Sequence, residues 1–342
     1  DPNNTDTDYS SGSPAALGNY IAQEYIIYGL GDGSQEEFDY ANLFYIPVND
    51  ALEPEKPGNP NITDLDRWQP LALESFVDQS GNVITDAISF LSPEWGNVNP
   101  FSLTVSDRTP FNRDGDTYQV YVNPGPPPLF GEEVAEGEND YHWGFELVAI
   151  WASHLDPADG VMWDISPASL GNVSDLPTTF TGHRDFYNEF DGGDPSIGRA
   201  VNPFTNEPYP ENMVPRGDYT RILAEFWADG PDSETPPGHW FTILNYVSDH
   251  EALEKRFKGQ SIVLDDLEWD IKSYFIMGGA MHDAAIAAWS VKGFYDYLRP
   301  ISAIRAMADL GQRSDPNGPN YNEGGITLKP NYIELVEVGD PL

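Results

Sequence analysis

The chain has 342 residues, long enough for one large domain or two ordinary ones. Its 17 Lys and Arg residues face 56 Asp and Glu residues, which gives a formal net charge of −39. A surface this acidic repels phosphate backbones and anionic lipid, which argues against nucleic acid and membrane surfaces as partners. No apolar run approaches the roughly 18 residues of a transmembrane helix, so membrane insertion is not expected.

The composition also predicts a folded protein. Its 17 Phe, 18 Tyr and 9 Trp residues are too many for a solvated, disordered chain. The absence of cysteine excludes a disulfide scaffold and thiol chemistry, but it leaves the compartment open. The excess of carboxylates favours a secreted protein, extracellular or periplasmic. A soluble acidic protein of any compartment fits the same composition.

The N-terminal part is predicted to be poor in helix. Residues 1–18 are polar and are expected to form a flexible leader; they lack Met and a signal peptide, so we expect a processed chain or one that begins inside a longer protein. Residues 19–135 alternate short apolar runs, such as Tyr25–Tyr28, with turn-forming residues, which indicates strands and long loops. Asp114-Gly115, followed by the alternating run 117–122, predicts a β-hairpin.

Residues 136–342 carry the helical pattern. Apolar spacing and capping residues predict helices at 141–154, from 219 to Asp229-Gly230, and at 235–256, 264–298 and 301–310. The helix at 264–298 is apolar on most faces, which predicts a central position in a bundle. Residues 155–218 and those after 310 lack a sustained period and are predicted as loops. The predicted fold class is therefore mainly α, a helical bundle preceded by a β- and loop-rich N-terminal region.

Two basic residues near the end of the long predicted helix form the candidate site. Lys292 and Arg299 are seven positions apart, which on a continuous helix places them on one face about 10 Å apart along the axis. Their heads then converge on one tetrahedral oxyanion, with a planar fork of donors from Arg and a point charge from Lys. A solvated ion-pair face is the alternative, because Asp296 lies at helical spacing from both. The apolar surroundings favour an anion, which offsets the desolvation of two cations.

The sequence around these residues resembles that of a known family. Lys292 to Pro300 has the form K-x6-R-P, within the stretch DAAIAAWSVKGFYDYLRPISAIR at 283–305 and after AEFWADGPDSETPPGHW at 224–240. These stretches resemble the vanadium-dependent haloperoxidase and type 2 phosphatidic-acid phosphatase superfamily, and its bacterial vanadium-haloperoxidase-related proteins in particular. The resemblance extends over roughly residues 140–342. K-x6-R-P is a weak pattern alone, and the flanking stretches make it specific.

The resemblance implies a vanadate cofactor, or phosphate in the phosphatases, with Lys292 and Arg299 bonded to its oxygens. It implies a haloperoxidase-like helical bundle, with hydrogen peroxide and halide as substrates and Lys292 polarising the peroxide. Two further family motifs, P-S-G-H and S-R-x5-H-x3-D, are absent from these 342 residues. We therefore expect the vanadium-ligating histidine beyond Leu342, in a C-terminal segment, or in a second polypeptide that completes the fold. This chain alone is expected to be inactive.

Two other functions stay open at this point. An acid phosphatase of the same fold differs in the anion and not in the Lys292 and Arg299 cradle. A non-catalytic extracellular or structural protein would keep the fold and lack the histidines. A homo-oligomer is a further expectation about partners.

Three other features have simpler structural explanations. None of the six histidines has zinc-site spacing. His239 and His282 lie in the family-like stretches and are expected to be hydrogen-bonded structural residues, with channel lining as the lesser alternative. Asn112–Asp116 offers oxygen ligands to calcium, but outside the EF-hand register, so a hairpin turn is favoured.

Overall fold

A computed structural model of the chain describes residues 3–77, 81–85, 87–132, 140–170, 176–193, 198–227, 234–260 and 262–340. The helices in these ranges are α1 (Pro14–Gly29), α2 (Asp140–Ala152), α3 (Phe180–Phe186), α4 (Arg216–Trp227), α5 (Pro236–Ser248), α6 (Asp266–Tyr295) and α7 (Pro300–Leu310). The strands are β1 (Phe76–Val77), β2 (Val83–Ile84), β3 (Arg108–Arg113), β4 (Asp116–Tyr121), β5 (Met162–Asp164) and β6 (Met213–Pro215). They pair as three antiparallel two-stranded ribbons, β1–β2, β3–β4 and β5–β6. Within the described ranges, no helix combines the length and apolar character needed to cross a membrane.

The predicted fold class is confirmed: the chain is mainly helical, with a loop- and strand-rich N-terminal region. The predicted hairpin is β3–β4, in which Phe111 lies opposite Tyr118. Its turn residues Asp114 and Gly115 both have positive φ, 58° and 98°. The predicted loop 155–218 contains β5, β6 and α3. The predicted end of α4 at Asp229-Gly230 lies outside the described residues.

Helix α1 contradicts the prediction of strands and turns near the N-terminus. Ser13 caps it by accepting a hydrogen bond from the Ala16 N–H at 3.3 Å, and Pro14 occupies the first helical position. The apolar run Tyr25–Tyr28, predicted as a strand, lies inside this helix. Residues 14–18 of the predicted leader belong to it as well. A short run of aromatic and β-branched residues does not distinguish a strand from a helix. Here the N-cap residue Ser13, followed by Pro14, indicates the helix.

Two helix boundaries also differ from the prediction. Helix α5 ends at Ser248 rather than near Arg256, and α6 covers Asp266–Tyr295 rather than 264–298. Asp265 caps α6 by accepting a hydrogen bond from the Glu268 N–H at 2.8 Å. The shorter α6 has a direct consequence for the candidate site, because the predicted single helix no longer reaches residue 299.

The chain divides into two compact units. Unit 1 comprises Asp1–Pro47, Ser89–Pro126 and Trp240–Tyr297, and unit 2 comprises Val48–Ile88, Pro127–His239 and Leu298–Leu342. Each unit combines segments from both sides of residue 135. The domains predicted from the sequence, 1–18, 19–135 and 136–342, stay a prediction. The boundary after residue 135 itself lies outside the described residues.

Unit 1 is built around the second half of α6 and the hairpin β3–β4. Its core is a cluster of apolar residues, Val98, Tyr121, Ile286, Trp95, Leu103 and Ala287. The Ser290 hydroxyl joins helix and hairpin, since it accepts a hydrogen bond from the Tyr121 N–H at 3.1 Å. Gly293 allows the loop that contains Pro93 to lie close to α6, because a Cβ at residue 293 would lie 1.8 Å from the Pro93 carbonyl oxygen. The first half of α6 instead exposes Leu267, Ile271 and Phe275, so only the second half has the predicted central position.

Unit 2 places α2 against α7. Both helices contribute buried residues to the core of this unit, Tyr141, Phe145, Ile150, Ala303, Ala306 and Met307. A loop joins α7 through buried amides. The side chains of Asn59 and Gln69 exchange two hydrogen bonds of 2.9 Å, and the Asn59 amide also donates to the Ser302 carbonyl at 3.1 Å. Asp309 accepts a hydrogen bond from the Asn59 N–H at 2.6 Å, which fixes the loop along α7.

Candidate oxyanion site

Lys292 lies in the last turn of α6, in unit 1. Its ammonium is 4.2 Å from the centroid of the Trp289 ring, one turn earlier on the same helix. An indole face at this distance attracts a cation without neutralising it. The Lys292 carbonyl accepts a hydrogen bond from the Asp296 N–H at 2.8 Å, so the lysine is tied to the residue that ends the helix.

The expectation that Lys292 and Arg299 share one helical face is wrong. Helix α6 ends at Tyr295, and Asp296 adopts the left-handed conformation with φ of 51°. Arg299 has extended backbone angles, φ −78° and ψ 148°, and precedes Pro300, the first residue of α7. Pro300 accounts for the conformation of Arg299, because a proline ring disfavours the helical conformation of the residue before it.

The alternative of a solvated ion-pair face is also wrong. Asp296 is fully buried, with 0% of its surface exposed. Its Oδ1 accepts a hydrogen bond from the Tyr45 hydroxyl at 2.6 Å. Its Oδ2 lies 3.9 Å from Nη1 of Arg113. The carboxylate between the two basic residues in sequence is therefore directed into unit 1.

Arg299 lies in unit 2, partly buried, with its guanidinium carbon 5.5 Å from the centroid of the Trp68 ring. Trp68 directly precedes Gln69, and the hydrogen bonds between the Gln69 and Asn59 side chains anchor this loop to α7. The position of the Trp68 indole is therefore fixed. Burial lowers the pKa of the Arg299 guanidinium from its ordinary value. The guanidinium is thus poorly solvated, and a bound anion would relieve that cost.

Neither cation has a carboxylate partner among the described residues, and neither side chain forms a hydrogen bond there. Other basic residues of the chain do have such partners at 2.6–2.7 Å: Arg184 with Asp140, Arg216 with Asp159, and Lys255 with Asp266. In a chain with 56 acidic residues, the candidate site thus has an exposed Lys292 beside Trp289 and a partly buried Arg299 beside Trp68.

The stretch that leads into Lys292 has structural roles in unit 1. Asp283 accepts hydrogen bonds from the N–H groups of Phe101, Ser102 and Leu103 at 2.6–3.0 Å, which anchors that loop to α6. Burial acts to raise the pKa of Asp283, but these hydrogen bonds and one from the Ser102 hydroxyl outweigh it and lower the pKa. The carboxylate is thereby kept ionised, which suits an anchor rather than an acid catalyst.

The two histidines of the family-like stretches also have structural contacts. His282 lies 2.9 Å from the Asn99 carbonyl oxygen through its Nε2. His239 is buried and stacks on Phe226, with ring centroids 4.0 Å apart. The expectation that His239 is hydrogen-bonded is wrong, because neither ring nitrogen forms a hydrogen bond within the described residues, although Nδ1 lies 3.2 Å from a carboxylate oxygen of Glu234. Throughout the part of the chain that the structure describes, no cluster of His, Asp or Glu is arranged to hold a metal ion. Asn112–Asp116 forms the turn of the hairpin β3–β4, as favoured from the sequence.

A cleft of about 770 Å³ in unit 1 does not include Lys292. It lies between α1 and α6, and aromatic residues such as Tyr28 and Phe101 line it. Its charged lining residues are Glu24 and Asp32, and no Lys or Arg lines it. This cleft therefore offers no cation to an oxyanion.

Sequence reasoning missed Arg113, which contacts the end of α6 directly. Its guanidinium Nη1 donates hydrogen bonds to the carbonyls of Gly293 and Phe294 at 2.8 and 2.6 Å. The sequence shows Arg113 only as a residue beside a hairpin turn. No local pattern links it to a helix end about 180 residues later, so only the fold reveals the contact.

Residues 272–326 match the family model of the VCPO second helical-bundle domain. This segment contains both Lys292 and Arg299, together with most of α6 and all of α7. The match supports a vanadium haloperoxidase-related relationship for a small part of the chain. No curated protein and no solved structure matches the chain significantly.

Proposed function

We propose that this chain supplies the Lys and Arg donors of an oxyanion site in a vanadium-dependent haloperoxidase-like protein. The observation that carries the proposal is the pair of cations without carboxylate partners among the described residues, both inside the VCPO-matched segment. A guanidinium offers a planar fork and an ammonium a point charge, and this donor set fits the oxygens of a tetrahedral oxyanion.

In this proposal the bound group is vanadate, which would supply the activation of hydrogen peroxide for halide oxidation. Arg299 holds two oxygens of the anion, and its partly buried position keeps water away from them. Lys292 directs a positive charge to the place where negative charge leaves, which is the electrostatic part of catalysis. The histidines of the two missing family motifs come from a C-terminal segment or a second polypeptide.

The first experiment is a vanadate titration, followed by ⁵¹V NMR, of the protein together with its histidine-bearing segment or polypeptide, for wild type, Arg299→Ala and Arg299→Lys. Loss of a charge-assisted fork should weaken binding by roughly ten- to a hundredfold for Arg299→Ala. Arg299→Lys should recover only part of this, because a point charge replaces the fork. Arg221→Ala is the control, since Arg221 pairs with Asp218 and Glu225 on the exposed surface of α4.

Equal vanadate affinity in wild type and Arg299→Ala would refute the site. If vanadate binds, halide oxidation with hydrogen peroxide and hydrolysis of a phosphate ester separate the haloperoxidase from the acid phosphatase. Absence of both activities in the presence of the histidine-bearing partner would favour a non-catalytic protein. Secretion and homo-oligomerisation stay predictions.

A further inference from the structure

We infer that a clamp of Tyr45, Arg113 and Asp296 positions Lys292 for the oxyanion. This inference rests on the proposed function, because the anion is the ligand whose binding the clamp would tune. All parts of the clamp, and Lys292 itself, lie in unit 1. Its residues come from three segments of the chain: the loop that contains Tyr45, the strand β3 and the end of α6.

The clamp satisfies the last carbonyls of α6. A helix ends with carbonyl groups that have no partner within the helix. The carbonyl of Lys292 accepts from the Asp296 N–H at 2.8 Å, and those of Gly293 and Phe294 accept from Arg113 Nη1 at 2.8 and 2.6 Å. Three consecutive carbonyls are thus hydrogen-bonded, and the Arg113 guanidinium lies at the negative end of the helix dipole.

Asp296 joins the backbone part of the clamp to its side-chain part. Its left-handed conformation ends the helix, while its fully buried carboxylate accepts the Tyr45 hydroxyl at 2.6 Å and lies 3.9 Å from Arg113 Nη1. A buried carboxylate is costly unless it is hydrogen-bonded and faces a positive charge. Removal of the Tyr45 hydroxyl should therefore loosen Asp296 and the hydrogen bond that it makes to Lys292.

Tyr45 and Arg113 are themselves held in place. Glu94 accepts hydrogen bonds from the N–H groups of Leu43, Phe44 and Tyr45 at 2.8–3.0 Å, which fixes the loop. Arg113 Nη2 donates to the Tyr118 hydroxyl at 2.6 Å, and its guanidinium lies 4.4 Å from the centroid of the Tyr118 ring. Tyr45 therefore lies on an anchored loop, and Arg113 lies on a hairpin that also holds its side chain in place.

The position of Lys292 explains why such a clamp is needed. It lies one turn from the end of α6, where helices commonly fray. Fraying would move the lysine backbone and would add to the entropy lost when its long side chain is fixed on an anion. Tyr45 and Asp296 are buried and the Arg113 side chain is 14% exposed, whereas the Lys292 side chain is exposed. We therefore assign Tyr45, Arg113 and Asp296 as positioning residues, which act on the anion through Lys292.

Tyr45→Phe is the decisive variant, because it removes one hydrogen bond and changes no charge. We expect amide exchange in the segment 292–298 to become roughly five- to tenfold faster, and vanadate affinity to fall by a similar factor. Arg113→Lys is the second variant; it keeps the charge and loses the fork, so it should also weaken affinity. Tyr274→Phe is the matched control, since it removes the hydrogen bond to Asn245 from the first half of α6. That control should lower thermal stability without changing affinity.

The outcomes distinguish this inference from the proposed function. If wild type binds no vanadate in the presence of the histidine-bearing segment or polypeptide, the proposed function fails, and the positioning role fails with it. If wild type binds and Tyr45→Phe binds equally well while its exchange accelerates, only the positioning role is overturned. The positioning role is also overturned if vanadate affinity in all three variants, including Tyr274→Phe, falls in proportion to thermal stability. Loss of affinity in Tyr45→Phe and Arg113→Lys, with Tyr274→Phe unchanged, supports the clamp.

Discussion

His142 and Glu146, one turn apart on α2, are buried titratable residues with opposite effects on stability. Each is 3% exposed. Burial, and then the positive charge of Arg313, lower the pKa of His142 from 6.5 to about 4. Burial raises the pKa of Glu146, although the hydroxyl and N–H of Thr327 oppose this. The unfolded chain thus takes up the His142 proton at a higher pH than the folded chain, whereas Glu146 shows the reverse.

This difference predicts a pH dependence of stability. The contribution of His142 is complete above pH 6.5, and it is lost as the pH falls towards 4, because the unfolded state then binds the extra proton. Between pH 6.5 and about 5, the unfolding free energy of wild type should fall by about 2 kcal/mol more than that of His142→Gln. Urea unfolding at several pH values measures this, and His250→Gln is the exposed control. Identical pH profiles for wild type and His142→Gln would contradict the assignment.

At the scale of elements, the sequence predicted α2, α6, α7 and the β3–β4 hairpin well, because their caps and turns are local. Asp114-Gly115 determines the hairpin by its positive φ values, and Pro300 determines the start of α7. The end of α6 was predicted three residues too late. Asp296 ends this helix, and its carboxylate accepts a hydrogen bond from the Tyr45 hydroxyl. Because Tyr45 is some 250 positions away in the chain, the local sequence gives no sign of this contact.

Two glycines of α6 give a matched test of its packing. Gly293→Ala would place a Cβ 1.8 Å from the Pro93 carbonyl oxygen, so backbone must move, and we expect a loss of about 2–3 kcal/mol in unfolding free energy. Gly278→Ala meets only Phe241 at 3.9 Å, and alanine should there stabilise the helix by up to about 1 kcal/mol. Denaturant unfolding compares the two variants. Equal effects would mean that α6 does not approach the Pro93 loop this closely.

At the scale of the whole molecule, the net charge of −39 acts on stability as well as on partners. So many like charges repel one another in the compact state more than in the expanded unfolded chain. Several basic residues are already engaged by carboxylates, whereas Lys292 and Arg299 have no such partner among the described residues.

We therefore expect added NaCl to raise the melting temperature near neutral pH, because screening weakens the repulsion within a Debye length of about 8 Å at physiological ionic strength. Differential scanning calorimetry across a salt series measures the trend. Sucrose at matched osmolality separates screening from solute exclusion. A melting temperature that falls or stays constant with salt would show that ion pairs outweigh the net repulsion.

The sequence by itself determined the helical class, the hairpin, the start of α7 and the candidate pair Lys292 and Arg299, because caps, turns and K-x6-R-P are all short-range patterns. The tertiary structure alone decided where α6 ends, that Asp296 is buried, and that Arg113 binds the last carbonyls of that helix. The physical reason is that buried hydrogen bonds and close backbone contacts, such as that of Gly293 with Pro93, join residues far apart in the chain. No periodicity or spacing records such contacts.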